Sequence, residues 1–183
     1  MTTPRLKSLL SLFAIALVGV VLAGCGEEAQ HLEAKEGGRI QLDELYYQVQ
    51  LSRQLNPKDV EDSYYLEGYP LPAKGESYFG VFVRVDNETS STRKLPIGTE
   101  HMKIVAANGD EFEPLKVNAP GWGYEPAPLG KGAMLPIPDT PAFVGTIRGS
   151  LILFRIPNKG LDDRPLKLEI EHGDEVGEIT LDV

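Results

Sequence analysis

The chain has 183 residues, 18 Lys plus Arg against 27 Asp plus Glu, a formal charge of −9, and 42% hydrophobic residues. That length fits one ordinary domain, and the apolar content is too high for a disordered chain. The acidic balance argues against binding a phosphate backbone, which needs a basic stripe to displace counterions, so nucleic acid is not expected as a partner. The 19 Gly and 14 Pro call for many turns.

The first 24 residues carry Arg5 and Lys7, no acid, and an apolar run from Leu9 to Ala23 broken only by Ser11 and Gly19. A basic start, a short apolar run and a small-residue end are the marks of an export signal. At about 15 residues the run is shorter than the roughly 20 needed for a permanent membrane span. It closes on Leu22-Ala23-Gly24-Cys25. This tetrad resembles the lipobox of bacterial lipoproteins. The resemblance implies that Cys25 receives a diacylglyceryl group and that a dedicated peptidase, reading Leu22, Ala23 and Gly24, cuts just before it. Small side chains there let the backbone lie extended in a cleft, and sulfur is the nucleophile for thioether formation. Two or three acyl chains, at about 0.8 kcal/mol per buried CH₂, anchor a protein durably. The expected address is therefore the extracytoplasmic face of a cell membrane. Gly26 stands where Asp commonly marks inner-membrane retention, so inner and outer membrane both stay open.

With the only Cys acylated, the folded body has no thiol for disulfides, redox pairs or thiolate metal sites. Removal of residues 1–24 leaves 159 residues at a formal charge of −11. A body of that size buries about 68 to 70% of its unfolded surface, enough for a core without staples.

Residues 25–39 are polar and charged, with Leu32 the one large apolar side chain, and read as a lipidated flexible tether that includes His31. From 40 to 183 period-two alternation dominates. Tyr47, Val49 and Leu51 share one face of a first strand, and Phe79, Val81, Val83 and Val85 share one face of a second, expected to be central. Met102–Ala106 and Glu111–Leu115 flank Asn108-Gly109, the signal for a hairpin closed by a type I′ turn. Gly149–Ile156 is apolar on both sides, as a buried strand should be, and Pro157 ends it. Leu166, Leu168 and Ile170, then Ile179, Leu181 and Val183, alternate with polar residues around a His172-Gly173-Asp174 turn.

Six or seven short strands without a helical stripe predict an all-β, antiparallel sandwich. The long strand Tyr78-Phe79-Gly80-Val81-Phe82-Val83-Arg84-Val85-Asp86-Asn87 and the run Gly149–Pro157 followed by Leu166 to Ile170 resemble the immunoglobulin-like domains of unknown function in Gram-positive lipoproteins and secreted antigens. That resemblance covers roughly residues 45 to 183 and implies an immunoglobulin-like sandwich of about seven strands. It brings no catalytic residues.

Few segments suggest chemistry. Residues 119–141 hold six of the 14 prolines and four glycines around Gly121-Trp122-Gly123-Tyr124. Such a loop either displays Trp122 and Tyr124 as a candidate binding surface, where rigid rings give contact area at low entropy cost, or folds back to plug the sandwich. The loop Asn56–Lys74 carries Tyr64, Tyr65, Leu66 and Tyr69 beside Asp59, Glu61 and Asp62, which read as a core-edge cover and a solvated charge run. An EF-hand's Gly and distal Glu are missing there. His101, Met102 and Met134 form a conceivable soft-ligand set for copper. No Gly-x-Ser-x-Gly, His-Glu-x-x-His or phosphate-cradling Gly motif occurs in the sequence.

The sequence thus predicts a non-enzymatic, membrane-anchored binding or accessory module of the cell envelope, held by its lipid and meeting an envelope protein. It predicts neither cofactor nor resident metal. The alternative is a copper-binding metallochaperone serving a membrane oxidase.

Overall fold

A computed structural model describes residues 30–89 and 94–183. The strands are β1 (Gln30–Lys35), β2 (Arg39–Leu42), β3 (Leu45–Leu55), β4 (Glu76–Asp86), β5 (Met102–Val105), β6 (Glu111–Phe112), β7 (Pro114–Leu115), β8 (Met134–Leu135), β9 (Ser150–Pro157), β10 (Lys167–His172) and β11 (Glu175–Thr180). Three short helices interrupt them: α1 (Val60–Tyr65), α2 (Pro141–Val144) and α3 (Asn158–Asp162). One sheet runs β1-β11-β10-β5-β6, and the other runs β2-β3-β4-β9-β7, with β8 added at the end of β4. The predicted all-β sandwich is therefore the fold, with a central β4 as expected.

The two inner faces share one core. Leu42, Leu45, Tyr47, Val49, Val81, Val83, Ile152 and Phe154 from one sheet meet Met102, Ile104, Leu168, Ile170 and Ile179 from the other. Sheets approach closely where side chains shrink. At Gly177, in the middle of β11, a Cβ would sit 2.4 Å from Ile40 Cδ1 and 2.8 Å from Leu42 Cδ1, so any larger residue would have to displace these two side chains of β2.

Four expectations change. Gln30–Lys35 is not tether: it pairs in parallel with Glu175–Thr180, adding a strand that makes the fold not purely antiparallel. Outward His31, Glu33 and Lys35 alternate with half-buried Leu32 and Ala34 packed on the core, so two modest apolar residues suffice at a sheet edge. There are more strands than seven among the described residues, because the chain switches sheets in short pieces; β6 pairs with β5, while β7, one residue later, pairs with β9. In β3 a bulge between Val49 and Leu51 turns Leu51 to the opposite face. An extra residue reverses the alternation beyond it.

The Asn108-Gly109 hairpin forms, but with a different turn. Only Gly109 has positive φ, at 86°; its N–H donates to Ala106 O and the Ala106 N–H donates to Asp110 O. That is the three-residue loop with glycine in the left-handed position, where the two-residue type I′ turn would need positive φ at both residues.

The outer face of the β2-β3-β4-β9-β7 sheet carries a second core. Leu55, Tyr78, Phe82, Leu151 and Leu153 are covered by Tyr65 and Leu66, with Leu51, Tyr69, Val117, Trp122 and Ile147 packed around them. Tyr65 is 0% exposed and meets Phe82 and Trp122 edge-on, with ring centroids 5.2 and 4.8 Å away. α1 is held over this face by charge and capping. Asp59 accepts from the N–H groups of Glu61 and Asp62 at its start. The buried Asp62 carboxylate pairs with Arg53 of β3 and accepts from Asn56 N.

Candidate functional site

Leu22, Ala23, Gly24 and Cys25, read from the sequence as resembling a lipobox, lie outside the described residues. The aromatic loop lies within them, and it folds back. Gly123 bridges to Leu151 in parallel fashion: Leu151 N–H donates to Trp122 O at 2.8 Å and Tyr124 N–H to Leu151 O at 2.9 Å. Consecutive side chains of an extended segment point to opposite sides. Trp122 accordingly lies on the second core, half-buried against Tyr65 and Gly145. Tyr124 enters the main core at 6% exposure and its hydroxyl donates to Ile97 O at 3.0 Å. Burial pushes the Tyr124 phenol well above its ordinary range. Of the two alternatives for Trp122 and Tyr124, display on a free loop or folding back, the structure has the second: the loop caps the sandwich, because two large rings remove more apolar area from water inside than they would on a free loop. It leaves a recess of about 290 Å³ beside Val117, Gly123 and Glu125.

The acids of the Asn56–Lys74 loop are also engaged. Asp59 caps, Asp62 pairs with Arg53, and Glu61 accepts from the Tyr65 hydroxyl at 2.7 Å. Asn87, of the sequon-like Asn87-Glu88-Thr89, is buried, and its Nδ2 donates to Leu129 O. The copper set is not assembled. Met102 is 1% exposed in the main core while its neighbour His101, with a side chain 58% exposed, faces solvent from a 3₁₀ turn over Thr99–His101. Met134 belongs to the other sheet, on β8 opposite Asp86.

The functional groups that the structure does gather lie on the outer face of β1-β11-β10-β5-β6. Lys103 Nζ sits 3.2, 3.0 and 2.9 Å from carboxylate oxygens of Glu111, Glu169 and Glu171. Hydrogen bonds that the Lys103 ammonium donates to Glu171 and then Glu169 raise it above its usual range. In return the Lys103 hydrogen bond lowers Glu171. Next to them Lys167 bonds Glu178, which raises the Lys167 ammonium. At the β1 edge, His31 Nε2 lies 3.2 Å from Glu33 Oε1 and 3.4 Å from Glu178 Oε1. Among the described residues these three are a group whose donor atoms all fall within 4.8 Å of one another, and they could hold a metal ion. Sequence reasoning missed the group because it placed His31 in a tether. The alternation of His31, Glu33 and Lys35 with Leu32 and Ala34 was the available signal.

No family model and no curated protein sequence matches the chain. Solved structures do. MPT63, a secreted protein of Mycobacterium tuberculosis, aligns with 83% of this chain and 98% of its own length at 14% identity and a TM-score of 0.53. An uncharacterised β-sandwich protein of Clostridium difficile aligns with 85% of this chain and 97% of its own at 13% identity and a TM-score of 0.50. The likeness at such identities is one of fold, and it places the chain among β-sandwich proteins.

Proposed function

We propose that this protein is a lipid-anchored extracytoplasmic lipoprotein whose sandwich is a non-enzymatic binding or accessory module of the cell envelope. The observation that carries the reading is Leu22-Ala23-Gly24-Cys25 at the end of a short, basic-started apolar leader. Two further points support it. The similar mycobacterial protein is a secreted one, which fits an address outside the cytoplasm. And β1 begins at Gln30, only five residues after Cys25, a distance of at most about 18 Å along the chain.

That short link has a spatial consequence. Gln30 pairs with Glu175, so an anchor at Cys25 holds the His172–Asp174 turn and its neighbours Asp43 and Glu44 next to the bilayer. The Asn108-Gly109 turn, at the other end of the β5 and β10 strands, then points away from the lipid and is presented to partners.

Intact-mass spectrometry of protein purified from membranes tests the reading. The expected species starts at Cys25 and carries diacylglyceryl mass, and Cys25→Ser moves the protein to the soluble fraction. A bare sulfur on native material, or an uncleaved leader, overturns the anchor. Crosslinking in intact cells followed by detergent extraction tests the binding role, with a recurrent envelope protein expected and no recurrent partner counting against it.

A further inference from the structure

We infer that His31, Glu33 and Glu178 form a binding site for a divalent transition-metal ion, zinc being the best fit, on the outer face of the β1/β11 pair. Residues two apart on a strand share a face, which puts His31 and Glu33 side by side. The parallel register sets Glu33 opposite Glu178. His31 Nε2 is 3.2 Å from Glu33 Oε1 and 3.4 Å from Glu178 Oε1. A tetrahedral zinc with bonds of about 2.0 to 2.1 Å holds its donor atoms about 3.3 to 3.4 Å apart. The two spacings around the imidazole match a coordination edge, and the third pair of donors, from Glu33 and Glu178, lies within 4.8 Å, so an ion between them needs these two carboxylates only to close on it.

The surroundings favour occupancy. Lys167 bonds the second oxygen of Glu178, which fixes that carboxylate with Oε1 turned to His31, the arrangement by which outer partners orient a ligand. Two carboxylates gather around one imidazole, and Lys167 bonds Glu178, one of the two. A divalent ion adds the missing charge. Imidazole with carboxylate donors suits zinc, whereas calcium takes oxygen ligands alone. His31 and Glu33 side chains are 46% and 67% exposed, so water completes the coordination and the site exchanges with solvent. The inference concerns the folded sandwich and stands apart from the anchor at Cys25.

Zinc titrated calorimetrically into the full chain in detergent is expected to bind one equivalent. His31→Ala and Glu178→Gln should each weaken binding at least about tenfold, since even outer partners of a metal cost 10- to 100-fold. Glu33→Gln, at the most exposed of the three positions, should do the same without touching the fold. Glu171→Gln, on the same face but paired with Lys103, should leave affinity unchanged. Cobalt in place of zinc should give an intense tetrahedral visible band that His31→Ala abolishes. The inference is overturned by no stoichiometric uptake, by uptake that survives both His31→Ala and Glu33→Gln, or by an equal loss in Glu171→Gln, which would mean diffuse attraction to an acidic face.

Discussion

The two outer faces of this sandwich solve the same problem in opposite ways. The face of β2-β3-β4-β9-β7 is apolar and covered by α1 and the Trp122 segment, whereas the face of β1-β11-β10-β5-β6 is bare and laced with charge. The difference teaches where the stability resides. Covering removes large ring area from water, at about 25 cal/mol per Å², while exposed ion pairs contribute about 0 to 1 kcal/mol each because water screens them. Mutations should therefore weigh heavily on the covered face and lightly on the charged one.

The sharpest blow to that asymmetry is Trp122→Ala, which uncovers Tyr65 and should cost about 3 kcal/mol in denaturant unfolding; a loss below about 1 kcal/mol would mean that the cover is ornamental. Within β11 adjacent positions separate the inner from the outer face. Gly177→Ala should cost about 2 kcal/mol by driving a methyl into Ile40 and Leu42. Glu178→Gln, one residue on and on the outer face, weakens only its ion pairing with Lys167 and should cost about 0 to 1 kcal/mol without metal.

Lys103→Met removes the hub of the charged face and should cost about 1 kcal/mol at low salt, shrinking as salt screens the pairs. pH sharpens the contrast. Glu171 is depressed below its ordinary 4.5, so its contribution is present above that pH and lost as acid titrates it through the lower folded value. Tyr65 is raised above its ordinary 10.0 by burial and by Glu61, so its contribution is present below pH 10 and lost as pH climbs toward the folded value. In pH-dependent unfolding, Lys103→Met should flatten the acid limb and Tyr65→Phe the alkaline one.

One small effect has the opposite sign. Asp43 and Glu44 form the β2-β3 turn with φ of 45° and 66°, where residues with a Cβ are strained. Glu44→Gly should stabilise by about 0.5 to 1 kcal/mol, measured by the same unfolding assay. An unchanged midpoint would show that the turn relaxes without glycine.

Much of this contrast was legible beforehand. Tyr78–Asp86 and Gly149–Ile156 are apolar on both sides, and both strands are covered on both faces; Lys167–His172 and Glu175–Thr180 alternate, and their outer sides are bare. The bulge after Val49 was not legible, since one extra residue in an alternating run leaves no local mark. Trp122 and Tyr124 announced a special segment without revealing that one ring covers the second core and the other enters the first. The metal-ligating group was hidden for another reason: His31 and Glu178 lie near opposite ends of the chain and meet only through a parallel pairing.

The sequence by itself determined the sandwich and the one-sided or two-sided burial of its strands, because period-two patterning is written in neighbouring residues. Only the tertiary structure decided that Tyr65 and Trp122 are the cover, that Gly177 is where the sheets approach, and that residues 30–35 form a strand. Each of these depends on contacts between segments far apart in the chain, whose partners no local pattern names.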